Sequence, residues 1–221
     1  MNPLAEGSWP SASNYFFLAI QVANAQDRQF HAAMLYVCDG QLMIGDLQSH
    51  MKIRREFAKA NNRVFWIAPD LSHEDQKILA TKLDAWLTLN PKGIPYSVAH
   101  PGGIIFKDGV WIGNEPGQGL TCATFVVELF NELAIPFINK ETWQARQGDD
   151  EWARHILDLI GAEMSPEHID AQVERIGETV RIRPSDVFAA GLLINQDAED
   201  SLLFDTVSPC AEAIERDLLP S

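Results

Sequence analysis

Cysteine is scarce: only Cys38, Cys122 and Cys210 occur in 221 residues. None has CxxC spacing, which excludes a disulfide framework and argues against structural zinc. Basic residues are also few, 17 Lys and Arg against 31 Asp and Glu. The resulting formal charge of −14 argues against non-specific binding to nucleic acid or to an anionic membrane, both of which need a basic surface. No apolar run reaches membrane-spanning length, and the first ten residues lack a basic segment leading into an apolar core. These absences predict no nucleic-acid partner, no stable membrane insertion and a cytoplasmic location. Internal repeats and low-complexity segments are missing too. Oligomeric state is not legible.

What is present is ordinary globular material: 46% hydrophobic and 22% charged residues, enough for one domain over 1–221. The first dozen residues, rich in Pro, Ser and Asn, read as a loose surface segment. Residues 15–23 are apolar and short, a buried strand or a buried helix. Residues 30–37 and 41–47 read as strands, with Asp39-Gly40 between them as a tight hairpin turn. Residues 64–68 form a further short strand. Ser72 then caps a helix, with Asp75 three positions on and Ile78, Leu79, Leu83, Trp86 and Leu87 on its apolar face. A second hairpin, around Asp108-Gly109, is predicted within 103–112. Residues 142–176 read as a charged helical embellishment, with Trp152, Ile156, Leu159 and Ile160 at helical spacing and Ser165-Pro166 opening a further helix. Residues 180–188 read as a short strand entering a helix capped by Ser185, and a final helix is expected over 209–218. Strands and helices in blocks, joined by hairpins, indicate an α+β fold with an antiparallel sheet.

Cys122 stands where a glycine-containing loop gives way to an amphipathic helix. Phe125, Leu129 and Leu133 form one stripe, with Val126 and Phe130 beside it, and the helix ends before Pro136. A thiol in a first helical turn faces unpaired N–H groups and the positive end of the dipole, which favour the thiolate. A buried, inert cysteine is the plain alternative.

A nucleophilic cysteine needs a base, and the base an orienting group. His73, His155 and His168 lie in charged helical segments, where solvated surface histidines are expected. His31 opens an apolar strand instead. If Asp39-Gly40 is a two-residue turn, pairing residues sum to 79 and His31 lies opposite Gln48. Asp46 then shares its face as a diagonal neighbour, roughly 7–8 Å away at the backbone. Asp46 can hold one ring nitrogen and leave the other for Cys122, with Ala33 on the same face making room for the helix. Alternatively His31 bonds backbone and Asp46 belongs to a turn; His50 and His100 are rival bases.

Taken together, these segments resemble the circularly permuted papain-like cysteine hydrolases, specifically the bacterial YiiX-like group of the NlpC-like superfamily. His31-Ala-Ala-Met-Leu35 is similar to the histidine strand, and Asp46 falls at the acidic hairpin position, where glutamate is frequent. Leu120-Thr-Cys-Ala-Thr-Phe-Val126 resembles the nucleophile helix, with Ala123 in place of the usual serine. Gly93-Ile-Pro-Tyr96 and Arg183-Pro-Ser-Asp-Val-Phe188 resemble the segments before and after that helix. Matching order extends over about residues 30 to 190.

The resemblance implies a permuted papain-like fold and a thiol hydrolase, a cysteine peptidase or amidase using Cys122, His31 and Asp46 without metal or organic cofactor. It implies an amide, peptide or isopeptide substrate, with Tyr96 and Thr121 at the oxyanion and substrate-binding positions. The alternatives are a lipid acyltransferase or thioesterase of the lecithin retinol acyltransferase type, with an acyl-containing substrate, and a non-catalytic binding module on the same fold. The 100–119 stretch is longer than in the family and is expected to form a flap, and 142–176 to shape the cleft or dock a partner.

Overall fold

Six strands form one antiparallel sheet in a computed structural model that describes all residues except 6–9, 11–13, 101, 102, 104, 220 and 221. They are β1 (Asn2–Leu4), β2 (Phe16–Asn24), β3 (Gln29–Cys38), β4 (Gln41–Ser49), β5 (Lys52–Phe57) and β6 (Asn61–Ile67), in the order β1-β6-β2-β3-β4-β5. The apolar 15–23 segment is thus a strand. As β2 it is flanked by β3 and β6 and buried on both faces, which removes the usual polar alternation. Part of the expected loose start lies outside the described residues; Asn2–Leu4, by contrast, pairs with β6 and buries Leu4.

The two faces of the sheet bury different sets of residues. Phe16, Leu18, Ile20, Ala32, Met34, Tyr36, Met43 and Leu47 pack against helices. Phe17, Ala19, Ala33, Leu35, Ile44 and Val64 form a smaller core whose buried members all come from strands, so the sheet must coil around that face. Asp39 and Gly40 both have positive φ, 50° and 74°, and Cys38 pairs with Gln41, so the register sum of 79 holds from there to Met34↔Gly45.

The helices are α1 (His73–Leu89), α2 (Cys122–Glu132), α3 (Asp149–Ile160), α4 (Pro166–Val173), α5 (Pro184–Leu193) and α6 (Phe204–Leu218). Ser72 caps α1 by accepting from the Asp75 N–H at 3.1 Å. Leu79, Leu83, Trp86 and Leu87 are buried beneath it, but Ile78 is on its open side. The sheet admits α1 closely at Gly45, where a Cβ would stand 2.5 Å from the Leu87 side chain. A second, two-stranded hairpin joins β7 (Phe106–Lys107) to β8 (Val110–Trp111) through Asp108-Gly109, again with positive φ.

Three expectations at the C-terminal end need correction. Residues 180–183 form no strand, although Arg183 itself is extended. Arg183, not Ser185, is the N-cap of α5: its N–H donates to Asp186 at 2.8 Å, while Ser185 Oγ donates to Glu215. The final helix begins at Phe204, so Pro209 lies inside it and omits one ladder bond. In α3, Leu159 is mostly exposed rather than core. Among the described residues no helix is long and apolar enough to cross a membrane. The architecture is α+β, an antiparallel sheet packed on one face by helices.

Candidate active site

Cys122 is the first residue of α2, buried to 6% exposure. The chain starts a helix there because Thr121 and Thr124 cap it reciprocally. Thr121 Oγ1 accepts from the Thr124 N–H at 3.1 Å, and Thr124 Oγ1 accepts from the Thr121 N–H at 2.8 Å. The hydroxyl of Thr121 is therefore committed to the cap, although the residue still lines the cleft. The N–H groups of Cys122 and Ala123, in the first turn, have no intrahelical acceptor.

Sheet geometry opens space for the sulfur. Pairing between β3 and β4 ends at Met34↔Gly45, so residues 31–33 and 46–48 part company, while β3 stays paired with β2 through Phe30. The Ala32 N–H, released from the β4 side, is among the groups that favour ionisation of the Cys122 thiol. Ala32, rather than Ala33, is the small residue beneath α2. Ala33 points into the opposite core, because β3 reaches the sulfur through its edge and not through the face carrying His31.

His31, Asp46 and Cys122 meet at that opening. His31 Nε2 stands 3.0 Å from Asp46 Oδ2, although its N–H is poorly aligned with the oxygen. The imidazole and the Cys122 sulfur lie within each other's electrostatic reach, each favouring the charged form of the other. Burial alone would push the imidazole down; the adjacent sulfur and Asp46 outweigh it and raise His31 to about 10. Burial likewise opposes ionisation of Cys122, but the charge and hydrogen bond of His31, with the Ala32 N–H, hold the thiol below its ordinary value. The two groups thus favour each other's charged forms, thiolate and imidazolium. Cys38 and Cys210 show the reverse, with burial raising both thiols.

Sequence reasoning missed Arg54. On β5, directly opposite Asp46, it donates Nε to Oδ1 at 3.3 Å and Nη2 to Oδ2, fixing a carboxylate only 1% exposed. The turn at 49–52 misleads here, since Ser49↔Lys52 sums to 101 and would set Arg55 opposite Asp46; a bulge between Leu47 and Ser49 changes the sum to 100 and brings Arg54 there instead. The strand itself, Lys-Ile-Arg-Arg-Glu-Phe, carries too little apolar periodicity to be recognised.

Tyr96 borders the cleft, and its chain segment meets the one before Cys122 through a parallel bridge to Leu120. The approach demands Gly119, where a Cβ would come within 2.6 Å of the Pro95 carbonyl. Two histidines hold the Tyr96 backbone. The Tyr96 N–H donates to His50 Nδ1 at 3.3 Å, and His168 Nε2 donates to the Tyr96 carbonyl at 2.9 Å. His168 Nδ1 accepts from Gly117, so this ring is a buried strut and not the solvated histidine its charged segment suggests. His50 occupies a strut position too, and His100 accepts from the Gly119 N–H at 3.4 Å; neither serves the sulfur. His73 and His155 are exposed, as expected. Burial and the nearby sulfur push the Tyr96 phenol far up, so it stays a hydrogen-bond donor, and its hydroxyl bonds no described residue.

The cleft over Cys122 and His31 is walled on one side by Trp152, Ile156 and Leu159 of α3, so the 142–176 segment does shape it. The 105–118 segment does not close over it: Phe106 stacks on Trp86 at 3.8 Å, tying the second hairpin to α1. No group of His, Cys, Asp and Glu among the described residues is arranged to hold a metal ion. The constellation is of the kind found in thiol nucleophile sites: a thiol held below its ordinary value, a protonatable ring, an adjoining carboxylate and backbone donors beside them. No family model matches the chain, and no curated protein or solved structure is similar enough to count as a match.

Proposed function

We propose that this protein is a cysteine-dependent acyl hydrolase of permuted papain-like type, cleaving an amide or peptide bond through Cys122, His31 and Asp46. The contact of the His31 ring with both the Cys122 sulfur and, at 3.0 Å, the Asp46 carboxylate carries this reading. Support also comes from chain order: base strand first, acidic hairpin partner second, nucleophile helix later, as in the YiiX-like hydrolases the sequence resembles.

The Cys122 thiolate attacks the carbonyl carbon, and the resulting oxyanion meets the Cys122 N–H and the Tyr96 hydroxyl. Imidazolium His31 gives its proton to the leaving nitrogen as the C–N bond breaks and the thioester forms. Neutral His31 then takes a proton from water; the hydroxide adds to the thioester, the C–S bond breaks, and the carboxylic product leaves with the ion pair restored. Asp46 orients the ring throughout, and Arg54 holds Asp46.

The apolar wall of Ile156, Leu159 and Ile182 favours a second reading within the same chemistry, cleavage or transfer of a lipid acyl group. Paired electrophilic peptide and fatty-acyl probes, read by mass spectrometry, separate the two by which one labels Cys122. Cys122→Ala is expected to abolish turnover with an unchanged melting temperature; a folded Cys122→Ala variant retaining wild-type activity defeats the proposal.

A further inference from the structure

We infer that Arg181 forms an anion subsite beside the nucleophile, one that selects substrates carrying a carboxylate next to the attacked carbonyl. This rests on the acyl-hydrolase reading and names the substrate class for that site.

Three arginines and two aspartates crowd the start of α3 and the start of α5. Arg146 spends its guanidinium on Asp186, and Arg183 donates to Asp149 at 2.9 Å. Arg181 is left over. Its closest carboxylate contact is Asp149 at 3.5 Å, already taken by Arg183, and its guanidinium donates no hydrogen bond to any described residue. Instead it lies flat against Trp152, 3.5 Å from the ring centre, with only 18% of its side chain exposed. Buried polar groups of this kind ordinarily find partners. Burial and the neighbouring Arg183 lower Arg181 to about 10, which still leaves it charged at neutral pH.

The unspent guanidinium borders a cavity of about 220 Å³ that shares Thr121, Trp152 and Ile182 with the cleft over Cys122. The Tyr96 phenol, at the edge of the cleft, is near enough to feel the charge of both the Cys122 sulfur and Arg181. At the cavity rim Lys140 is neutralised by Glu128 at 2.6 Å. One uncompensated positive charge remains, matching a monoanion better than a phosphate dianion. A planar guanidinium fits a carboxylate through two parallel N–H bonds. The carboxylate can be an acidic side chain or a free carboxyl terminus.

Three N-bromoacetyl probes separate these sources: glutamic acid α-amide (side-chain carboxylate only), glutamine (α-carboxylate only) and glutamine amide (neutral). In each, the Cys122 thiolate displaces bromide to form a thioether, and the labelling rate at Cys122 is followed by mass spectrometry of the full chain. One of the charged probes is expected to label about tenfold faster than the neutral one, the scale of a charge-assisted contact. This would occur against the overall charge of −14, which repels anions. In Arg181→Gln the ratio should fall toward one, and Arg181→Lys should retain an intermediate ratio. A wild-type ratio at or below one overturns the inference even if the variants do not fold, as does a ratio unaltered in folded Arg181→Gln. The ratio is read on alkylation alone, so a clear preference without turnover of any amide would sink the hydrolase reading and leave the subsite standing.

Discussion

Asp46 and Asp186 are both buried carboxylates held by arginine, and they do opposite things. Asp186 accepts from the Arg146 guanidinium, from Trp143 Nε1 at 3.3 Å and from the Arg183 N–H at 2.8 Å. Every partner is a permanent donor, and the network closes on itself, tying the start of α5 to the segment before α3. Asp46 is gripped by Arg54 on one side only, and on the other it faces a ring that titrates and touches a sulfur. A buried carboxylate by itself marks no site; what matters is whether its chain of contacts ends on a group that can change its bonds.

The sharpest way to break that comparison is to neutralise each carboxylate. Asp46→Asn should lower turnover by about 10²–10⁴-fold, because the amide cannot support imidazolium and leaves the ring free to turn. Asp186→Asn should cost about 3–5 kcal/mol in denaturant unfolding by leaving Arg146 buried without its anion, while the folded fraction keeps wild-type labelling of Cys122. Equal activity losses in the two variants would erase the distinction.

A pH profile sharpens it next. The reactive pair needs thiolate and imidazolium together. Rate should therefore fall on the acid side as Cys122 is protonated, below the ordinary thiol range, and on the alkaline side as His31 loses its proton near 10. Since Asp46 helps raise His31, Asp46→Asn should move the alkaline limb to lower pH, and Asp186→Asn should leave both limbs in place. An alkaline limb unmoved by Asp46→Asn would separate that carboxylate from the ring.

The smallest effect is expected at Arg54, which acts through Asp46. Arg54→Gln should slow turnover by about tenfold, equivalent to about 1.4 kcal/mol, with partial rescue by Arg54→Lys. A shift of the alkaline limb, measured alongside, distinguishes positioning of Asp46 from simple loss of stability.

How far the chain could be read depended on whether the signal was local. Ser72 as a cap, Asp39-Gly40 as a turn and the Phe125–Leu129 stripe of α2 are each dictated within a few residues, and the structure has them. The β3–β4 register followed from that turn as far as Met34↔Gly45; the expected pairing of His31 with Gln48 is not made, and His31 meets Asp46 across the opening where the strands part. Other assignments failed where packing overrides pattern. His168 sits among charges yet is buried, because Tyr96 and Gly117, distant in sequence, supply its partners. Ile78 and Leu159 obey helical spacing yet face outward, since nothing in the chain says how wide a neighbouring element is. Pro209 suits a helix start but lies within α6, which extends upstream from Phe204.

Sequence alone determined the short-range geometry: a cysteine at a capped helix start, a histidine and an aspartate on one hairpin, and an acidic chain poor in cysteine. Tertiary structure decided that the hairpin splays beyond Met34 so that the Ala32 N–H and the His31 ring act on the sulfur, that Arg54 locks Asp46, and that Arg181 must share Asp149 with Arg183. Turns and caps depend on bonds between near neighbours, whereas ionisation and free valence depend on which remote groups share a low-dielectric space, and only the packed chain defines that space.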